Sequence, residues 1–366
     1  MAELGAPLSQ SRLPLMQRLA GSRGFQVWAA RMPFLRRIVR AEGAALFDVI
    51  QGFVRSQVLF ALVELDLLAR LAQGPKSAAA LAPAAGLTEQ RMQILLQAGA
   101  AIGVLRRRRD GAFGLARRGA AFLGVPGLAA MVRHHSVLYQ DLADPVALLR
   151  GEVAPGLARF WPYVFGAAAA EDPASAATYS GLMADSQALV AEDTLRLVDF
   201  AGTTHLMDVG GGTGAFLRAV RNAHPDLRLT VFDLPAVLAS ARLPAGVAGV
   251  PGSFREDPLP RGADAISLIR VLYDHSDATV TQLLSRVREA LLPGGRLIVS
   301  EPMSGGNRPD PATDVYFALY CMAMQTGRTR SAAEIADLMT RAGFSRIAVL
   351  PGPRPYVTSV VTGLRP

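Results

Sequence analysis

The chain has 366 residues, of which 51% are hydrophobic and 19% charged, a balance that predicts a folded chain of two domains. A single cysteine, Cys321, excludes an internal disulfide framework and a cysteine-rich zinc site. No apolar run reaches the roughly 18 residues of a membrane span, and the N-terminus lacks the order of a signal peptide, so we expect a cytoplasmic protein. The net charge of +8 comes from arginine, since Lys76 is the only lysine. A GC-rich genome explains this excess, and attraction to anionic lipid or to nucleic acid is the alternative.

The first part of the chain is helical in pattern. Residues 44–72 carry apolar side chains at helical spacing. The following stretch predicts a short helix, a turn at Gly86, a helix capped by Thr88, and two short strands around Asp110 and Gly111. This order is typical of a winged helix. Residues 120–195 are again helical in pattern, broken by one loop that contains proline and glycine.

After His205, strands and helices alternate. Strands are predicted at LMDV, LRLTVFD, AISLI and RLIVSE, and helices at residues 214–223 and 277–292. Such alternation requires a parallel sheet with right-handed crossovers. Ser331 and Glu334 then predict a capping box for a last helix, and RIAVL with YVTSVVTG predicts an antiparallel hairpin. The expected fold class is α/β with a mostly helical N-terminal domain.

The sequence LMDVGGGTGAF at residues 206–216 carries the clearest signal of function. It joins a predicted strand to a predicted helix, where glycines let a ligand touch the backbone and the helix offers unpaired N–H groups. The same letters satisfy the dinucleotide pattern G-x-G-x-x-A, with Asp233 placed to hold ribose hydroxyls. Asp208 and the terminal hairpin favour S-adenosylmethionine over NAD, because an acid beside the loop suits a cationic ligand that has no pyrophosphate.

Five stretches together resemble the small-molecule O-methyltransferases of the caffeate and acetylserotonin type: LMDVGGGTGAF, VFDLPAV, GSFREDPLP, RVLYDHSD and LLPGGRLIVSEPM. This resemblance implies a Rossmann-like class I methyltransferase domain that uses S-adenosyl-L-methionine, joined to an N-terminal winged-helix domain that forms a homodimer. We therefore expect four segments: a basic amphipathic arm at 1–42, the winged-helix dimerisation domain at 43–125, a helical connector at 126–195 that lines the substrate site, and the cofactor-binding domain at 196–366.

The stretch FQVWAARMPFLRRIVRAEGAALFDVIQGFVRSQVL and the stretch YSGLMADSQ look most like the hydroxyneurosporene O-methyltransferases of the spheroidene carotenoid pathway. That resemblance implies methylation of the hydroxyl of a hydrophobic hydroxycarotenoid, of the 1-hydroxyneurosporene or demethylspheroidene type. Three alternatives stay open: O-methylation of another hydrophobic small molecule, C-methylation of a tetrapyrrole, and use of the cofactor as a structural group in a hydroxylation.

By position, the resemblance places the cofactor along the glycine loop and the strand ends that follow it. Asp208, Gly210 and Gly212 would face its methionine end, Asp233 its ribose, and Ser253 with Phe254 its adenine. The full expected set is Asp208, Gly210, Gly212, Gly214, Asp233, Leu234, Ser253, Phe254 and Arg270. Ser253 stands where the family usually has aspartate, so one charged hydrogen bond to the adenosyl group would be missing.

The family's catalytic histidine is absent. Relatives that methylate phenols use the histidine of an H-D-W-S-D motif as the base, and here Tyr273 stands at that position and His275 at the tryptophan. Glu301 matches the family's supporting acid, whereas a second acid falls on Thr329. A free tyrosine has a pKa of about 10 and is a poor base at neutral pH. We therefore expect Tyr273, linked to Glu301, to orient an aliphatic hydroxyl, with His275 as the reserve candidate; packing or helix capping is the alternative for His275.

The acceptor pocket is predicted to be apolar. The resemblance places its lining residues in two regions: Met183 before the sheet, and Phe317, Tyr320 and Met324 near its end. Core packing is the alternative for each of them, although methionine and aromatic side chains also suit a long apolar ligand. His134 and His135 point about 100° apart on a predicted helix, so at most one lines the pocket, and we assign His135. No metal-ligand spacing occurs, so we expect no metal.

Two charged regions raise further possibilities. The arm PFLRRIVR at residues 33–40 mixes apolar and arginine side chains, so it could lie in a membrane interface or pack on the partner subunit. The run of four arginines at residues 106–109 beside a wing turn would suit a DNA-binding regulator. The preceding helix is apolar where base-reading side chains would be needed, so we expect no nucleic acid as partner.

Overall fold

The computed structural model describes residues 14–160 and 187–366, and the chain divides into two compact units after Ala120. The first unit is helical with one small hairpin. Its elements are α1 (Leu15–Ala20), α2 (Arg23–Arg31), α3 (Pro33–Ile50), α4 (Gly52–Glu64), α5 (Leu67–Ala72), α6 (Ala78–Leu81), a 3₁₀ turn (Pro83–Ala85), α7 (Glu89–Ala101), β1 (Leu105–Arg107) and β2 (Phe113–Leu115). α8 (Arg117–Leu123) crosses the division.

The winged-helix prediction is confirmed by this order. Gly86 ends the 3₁₀ turn with φ +64°, and Thr88 Oγ1 accepts a hydrogen bond from the N–H of Arg91 to cap α7. β1 and β2 pair antiparallel across the predicted turn, with Leu105 opposite Leu115. The apolar stretch 44–72 is split into three helices, because the chain breaks at Gln51 and again at Asp66, whose φ is +53°.

α3 is the most exposed helix of this unit. None of its 18 residues is buried, and the helix continues through the predicted domain boundary at residue 42. Among the described residues, no single helix is both long and apolar enough to cross a membrane. α3 and α4, which meet at an angle of 51°, are together long and apolar enough to span a membrane by length and composition alone.

The second unit begins with helices and continues into an α/β sheet. Its helices are α9 (Leu128–Asp141), α10 (Pro145–Arg150), α11 (Gly156–Phe160), α12 (187–197), α13 (Ala215–Ala223), α14 (Pro235–Ser240), α15 (Asp277–Ala290), α16 (Ala318–Met324) and α17 (Ala332–Arg341). A π-helix (Ala312–Phe317) runs directly into α16. Its strands are β3 (His205–Val209), β4 (Arg228–Asp233), β5 (Val247–Pro251), β6 (Ala263–Ile269), β7 (Leu291–Glu301), β8 (Ser345–Leu350) and β9 (Ser359–Leu364).

The sheet has the strand order β5-β4-β3-β6-β7-β9-β8. The first five strands in this order, from β5 to β7, run parallel to one another. β9 pairs antiparallel with both β7 and β8. The predicted parallel sheet and terminal hairpin are thus confirmed. Successive side chains of β3 enter opposite apolar layers, since Leu206 packs in one cluster and Met207 and Val209 in the other. The carboxyl ends of the parallel strands therefore meet at one edge, where open α/β sheets place their sites.

Local sequence signals explain most element ends in this unit. The predicted capping box is present, since Ser331 Oγ accepts from the N–H of Glu334 while the Glu334 side chain accepts from the N–H of Ser331. α15 begins at Asp277 as predicted, with Ser276 as its cap, and ends at Ala290 rather than at residue 292. β5 and α14 were not predicted: β5 contains Gly249 and proline and lies at the sheet edge.

Candidate active site

The glycine loop lies between β3 and α13, at the carboxyl edge of the sheet. Gly210, Gly212 and Gly214 all have positive φ values, of +71°, +58° and +72°. This backbone conformation is strained for residues with a Cβ, which explains why the loop needs glycine. A Cβ on Gly212 would meet no atom within 4 Å, so open space lies beside the loop at that residue.

Asp208 lies beneath this loop and is completely buried. Its Oδ1 accepts a hydrogen bond of 2.6 Å from the Ser267 hydroxyl, whereas its Oδ2 is buried and has no partner among the described residues. Burial raises the pKa of Asp208 from 3.8 to about 7; the Ser267 hydrogen bond opposes this rise and the charge of Asp233 adds to it. A buried oxygen without a donor keeps the capacity to accept a hydrogen bond from a cationic or N–H-bearing ligand.

Asp233 ends β4 and ties the loop to the next strand end. Its Oδ2 accepts from the N–H of Gly212 at 2.7 Å, and its Oδ1 accepts from the N–H of Leu234 at 2.7 Å. Burial raises the pKa of Asp233, and these two backbone hydrogen bonds oppose the rise. Each oxygen keeps a further lone pair, so the carboxylate can still accept hydrogen bonds from ribose hydroxyls.

Ser253 and Phe254 follow β5 at the same edge of the sheet. The Ser253 hydroxyl accepts from the N–H of Arg255 at 3.3 Å, and the Phe254 ring meets the His275 ring edge-on, with centroids 5.1 Å apart. His275 Nδ1 lies 3.0 Å from a guanidinium nitrogen of Arg255. Burial, with the charges of Arg255 and Arg330, lowers the pKa of His275 to about 3. This imidazole is therefore neutral at physiological pH.

The predicted catalytic residues meet around the loop of residues 270–276 between β6 and α15, called the catalytic loop below. Arg270 has an unusual φ of +58°, and its Nε donates to the Tyr273 hydroxyl at 3.0 Å. Glu301, at the end of β7, accepts through Oε2 from the N–H groups of Leu272 at 3.0 Å and Tyr273 at 3.2 Å. The predicted link between Tyr273 and Glu301 thus runs through the Tyr273 backbone, while its hydroxyl pairs with Arg270.

Burial is the largest influence on the pKa values of Tyr273 and Glu301. It raises the pKa of Tyr273 well above its ordinary value of 10.0, although the charge of Arg270 opposes this rise. It also raises the pKa of Glu301 from 4.5 to about 7, against the charge of Arg330 and the two backbone hydrogen bonds. Tyr273 therefore keeps its phenolic proton at physiological pH.

Sequence reasoning missed Asp274, which adjoins Tyr273. Its Oδ1 is buried and has no partner among the described residues, yet the residue as a whole keeps part of its surface exposed. Burial raises the pKa of Asp274 well above 3.8; the charge of Arg270 opposes this and that of Glu301 adds to it. An acidic residue between two aromatic residues, in the loop that follows an apolar strand, was the available signal.

Arg330 was also missed, and it fixes the shape of this loop. Its guanidinium is completely buried and donates to the carbonyls of Leu272 at 2.7 Å and His275 at 2.8 Å, and to Asp277 Oδ1 at 2.6 Å. Gly327 lies against the same loop, since a Cβ there would lie 2.1 Å from the Tyr273 carbonyl oxygen. The segment that carries Thr329 thus supports the loop through its neighbours.

Two histidine–tyrosine pairs join α9 to the π-helix and α16. His134 Nε2 lies 2.9 Å from the Tyr320 hydroxyl, and His135 Nε2 lies 2.6 Å from the Tyr316 hydroxyl. Burial, with the neighbouring His135 charge, lowers the pKa of His134 to about 4, and burial lowers that of His135. Both imidazoles are neutral, so this region offers hydrogen bonds without adding charge.

The remaining pocket predictions have different surroundings. Met324 is completely buried in a cluster with Leu138, Leu157 and Tyr320, as expected of core packing. Phe317 is half-buried in the π-helix and meets the Tyr316 ring edge-on. Met183 lies outside the described residues.

Comparison with known families identifies the class of protein. The O-methyltransferase domain matches residues 139–345, which is more than half of the chain, and the O-methyltransferase dimerisation domain matches residues 47–124. The chain belongs to the O-methyltransferase family. It is an S-adenosylmethionine-dependent O-methyltransferase, and the matched dimerisation domain supports a homodimer.

Individual relatives extend over nearly the whole chain. It is 64% identical to the demethylspheroidene O-methyltransferase of Cereibacter sphaeroides, over 98% of this chain and 96% of that protein. It is 54% identical to the demethylspheroidene O-methyltransferase of Rhodobacter capsulatus, over 98% and 92%. Among solved structures, it resembles CalO1, a methyltransferase of calicheamicin biosynthesis in its SAH-bound form, with 27% identity, a TM-score of 0.74, and coverage of 89% of this chain and 98% of that one. The predicted fold class, enzyme class and cofactor are confirmed.

The described residues fit this cofactor. S-adenosylmethionine carries positive charge, and next to the loop Asp208 provides a buried carboxyl oxygen that has no partner within residues 14–160 and 187–366. The open space at Gly212 admits a ligand to the backbone. Among residues 14–160 and 187–366, no group of three or more histidine, cysteine, aspartate or glutamate side chains is placed to hold a metal ion.

Proposed function

We propose that this enzyme transfers the methyl group of S-adenosylmethionine to the hydroxyl of a hydroxycarotenoid of the 1-hydroxyneurosporene or demethylspheroidene type. The observation that carries this proposal is the 64% identity to a demethylspheroidene O-methyltransferase over 98% of this chain. The identity extends through both the dimerisation domain and the methyltransferase domain, as expected when substrate choice is shared as well as fold.

The polar groups near the catalytic loop support an alcohol as acceptor. A phenol ionises at a pKa of about 10 and gains from a nearby base, whereas an aliphatic alcohol loses its proton only as the new bond forms. Tyr273 replaces the family's base and stays protonated. The two neutral histidines, paired with Tyr316 and Tyr320, fit an uncharged ligand.

We assign cofactor binding to residues at the carboxyl ends of the parallel strands. Asp208, Gly210 and Gly212 would hold the methionine end, Asp233 the ribose, and Phe254 the adenine. When bound, S-adenosylmethionine supplies a methyl group on a cationic sulfur. The unpartnered Asp208 oxygen supports the first of these assignments, and the free lone pairs of Asp233 support the second.

In this proposal Tyr273 orients the acceptor oxygen. The Arg270 guanidinium donates to the Tyr273 hydroxyl oxygen, which fixes the hydroxyl and leaves its proton free to find an acceptor. Positioning of this kind contributes on the order of 7–11 kcal/mol to the acceleration in favourable cases, whereas a general base typically adds roughly 10²–10⁴-fold. Loss of the family's histidine is therefore compatible with catalysis.

His275 has a packing role in this proposal. Its ring lies against Phe254, its Nδ1 is engaged by Arg255, and burial keeps its pKa low. These contacts support a neutral side chain that borders the adenosyl site rather than a group that exchanges protons during turnover.

We also propose that the N-terminal helices bind the surface of an anionic bilayer, where the oil-soluble acceptor resides. Trp28, Phe34 and Ile38 are 49%, 90% and 58% exposed on α2 and α3. Exposed arginines accompany them: Arg31, Arg36, Arg37 and Arg40. Apolar side chains beside arginines are typical of helices that lie in a membrane interface.

The acceptor is tested with the purified enzyme and methyl-labelled S-adenosylmethionine. Vesicles that contain the hydroxycarotenoid are compared with vesicles that contain the same carotenoid without its hydroxyl, and the products are fragmented by mass spectrometry. We expect one labelled methyl group on oxygen, and only with the hydroxylated compound. Label on carbon, or transfer to a tetrapyrrole in place of the carotenoid, would contradict the proposal.

Membrane binding is tested by flotation with vesicles of phosphatidylglycerol and phosphatidylcholine. The double variant Phe34→Ser and Ile38→Ser is compared with Val146→Ser, which changes an exposed apolar residue on α10. We expect wild type and Val146→Ser to float with the vesicles and the double variant to remain in the unbound fraction. If none floats, and only the double variant becomes monomeric by light scattering, this face belongs to the subunit interface.

A further inference from the structure

The catalytic loop contains an acceptor oxygen that nothing in the described chain uses. Asp274 Oδ1 is buried and without a hydrogen-bond partner among the described residues. A buried polar atom without a partner is costly in a native structure and calls for a ligand or a function. Asp274 as a whole is half-buried, so part of the residue, although not Oδ1 itself, meets the surface of the described chain.

The other polar groups near Asp274 are less suited to accept a proton. The Tyr273 hydroxyl accepts from Arg270 and keeps its proton, and His275 Nδ1 faces Arg255. Glu301 also has an oxygen, Oε1, without a partner in the described part of the chain, but the whole residue is 0% exposed and its Oε2 accepts from two backbone N–H groups. Of these two carboxyl groups, Asp274 is therefore the better placed to meet a ligand hydroxyl, because its residue is partly exposed.

We propose that Asp274 accepts the proton of the acceptor alcohol during methyl transfer, an inference that rests on the proposed function. The alcohol O–H bond breaks and its proton passes to Oδ1, while the alcohol oxygen forms the new bond to the methyl carbon. The bond between that carbon and the donor sulfur breaks, and its electron pair stays on sulfur. The positive charge of the donor and the negative charge of Asp274 both disappear, and the proton later leaves to water.

The surroundings of Asp274 favour its acting as an acceptor. The titratable groups that act on it come from three elements: Arg270 and Tyr273 of its own loop, Glu301 of β7, and Tyr320 and Cys321 of α16. Arg270 favours the charged carboxylate and Glu301 disfavours it, while burial makes the carboxylate a stronger base than an exposed aspartate. A cationic ligand would favour ionisation further.

The test compares Asp274→Asn and Asp274→Glu with the exposed control Asp337→Asn. We expect kcat of Asp274→Asn to fall by roughly 10²- to 10⁴-fold, the usual loss for a general base, with the affinity for S-adenosylhomocysteine unchanged by calorimetry. Asp274→Glu keeps a carboxylate and should retain more activity than the amide. In the wild type, kcat/KM should rise with pH as Asp274 ionises, and this limb should be absent from the residual activity of Asp274→Asn.

A second readout does not depend on turnover. Because folding raises the pKa of Asp274, the stability that this carboxyl contributes is complete below its unfolded pKa and falls as pH rises. Urea unfolding should therefore show Asp274→Asn gaining stability relative to wild type as pH rises above 3.8, which checks the raised pKa of this carboxyl independently of turnover, while the pH limb of kcat/KM tests its catalytic role. An unchanged kcat, or an equal loss of S-adenosylhomocysteine affinity, would overturn the role. If wild type itself methylates no hydroxycarotenoid, the proposed function fails instead.

Discussion

The replacement Asp208→Asn tests how the glycine loop receives a cationic ligand. Asp208 is buried, with one oxygen bound to Ser267 and the other without a partner among the described residues. Its pKa is raised from 3.8 to about 7, mainly by burial. The folded chain therefore holds a proton that the unfolded chain releases. Below the unfolded pKa the contribution of Asp208 to stability is complete, and it is lost as pH rises towards 7.

The size of this effect follows from the two pKa values. One pKa unit corresponds to about 1.4 kcal/mol, so the ionised Asp208 costs about 4 kcal/mol of stability above pH 7 in the absence of ligand. The amide does not ionise and avoids this cost. We expect the stability of Asp208→Asn relative to wild type to increase by about 2–3 kcal/mol between pH 5 and pH 8.

Ligand affinity should change in the opposite direction. A hydrogen bond to a charged group contributes about 1.5–3 kcal/mol, so S-adenosylmethionine should bind the amide roughly 10- to 100-fold more weakly at pH 8. Urea unfolding and isothermal calorimetry measure the two effects, with Asp226→Asn, on an exposed turn, as control. Wild-type affinity in Asp208→Asn, or a loss of stability that does not depend on pH, would refute the reasoning.

Three further outcomes are expected. Gly212→Ala places a Cβ at φ +58° in otherwise open space, so it should lose about 1–2 kcal/mol of stability and bind S-adenosylhomocysteine more weakly by calorimetry; unchanged binding would contradict a ligand at that spot. Arg330→Met leaves two carbonyls and Asp277 without their buried partner, so urea unfolding should show a loss of about 3–5 kcal/mol, and a near-zero loss would contradict the contacts. His275→Phe removes a histidine whose pKa is lowered to about 3, so the variant should retain the stability that wild type loses as pH falls below 6.5. Its kcat should change little. A fall in kcat as large as the loss of a general base would make His275 a catalytic group again.

Structural features that depend on residues close together in the sequence could be predicted from it. The capping box at Ser331 and the glycine loop depend on residues a few positions apart, and both have the expected geometry. β5 could not be predicted, because its five residues include Gly249 and proline and gain their strand form from pairing with β4. The kink at Asp66 likewise departs from the helical pattern of the residues around it.

The chemistry of the site depended on distant neighbours. The likeness to a known family placed Tyr273 and Glu301, but the hydrogen bond from Arg270 to the Tyr273 hydroxyl shows only in the folded chain. Asp274 owes its raised pKa to burial, which composition cannot reveal. Tyr320 meets His134 across 186 residues of sequence, so no local pattern could have paired them.

The account depends most on the kind of hydroxyl that this site accepts. A competition measurement tests it directly: the enzyme receives methyl-labelled S-adenosylmethionine with the hydroxycarotenoid and a phenol, acetylserotonin, in the same vesicles, and kcat/KM is compared for the two. With a protonated Tyr273 in place of the family's histidine, we predict that label accumulates on the carotenoid oxygen. Preferential methylation of the phenol would contradict the account.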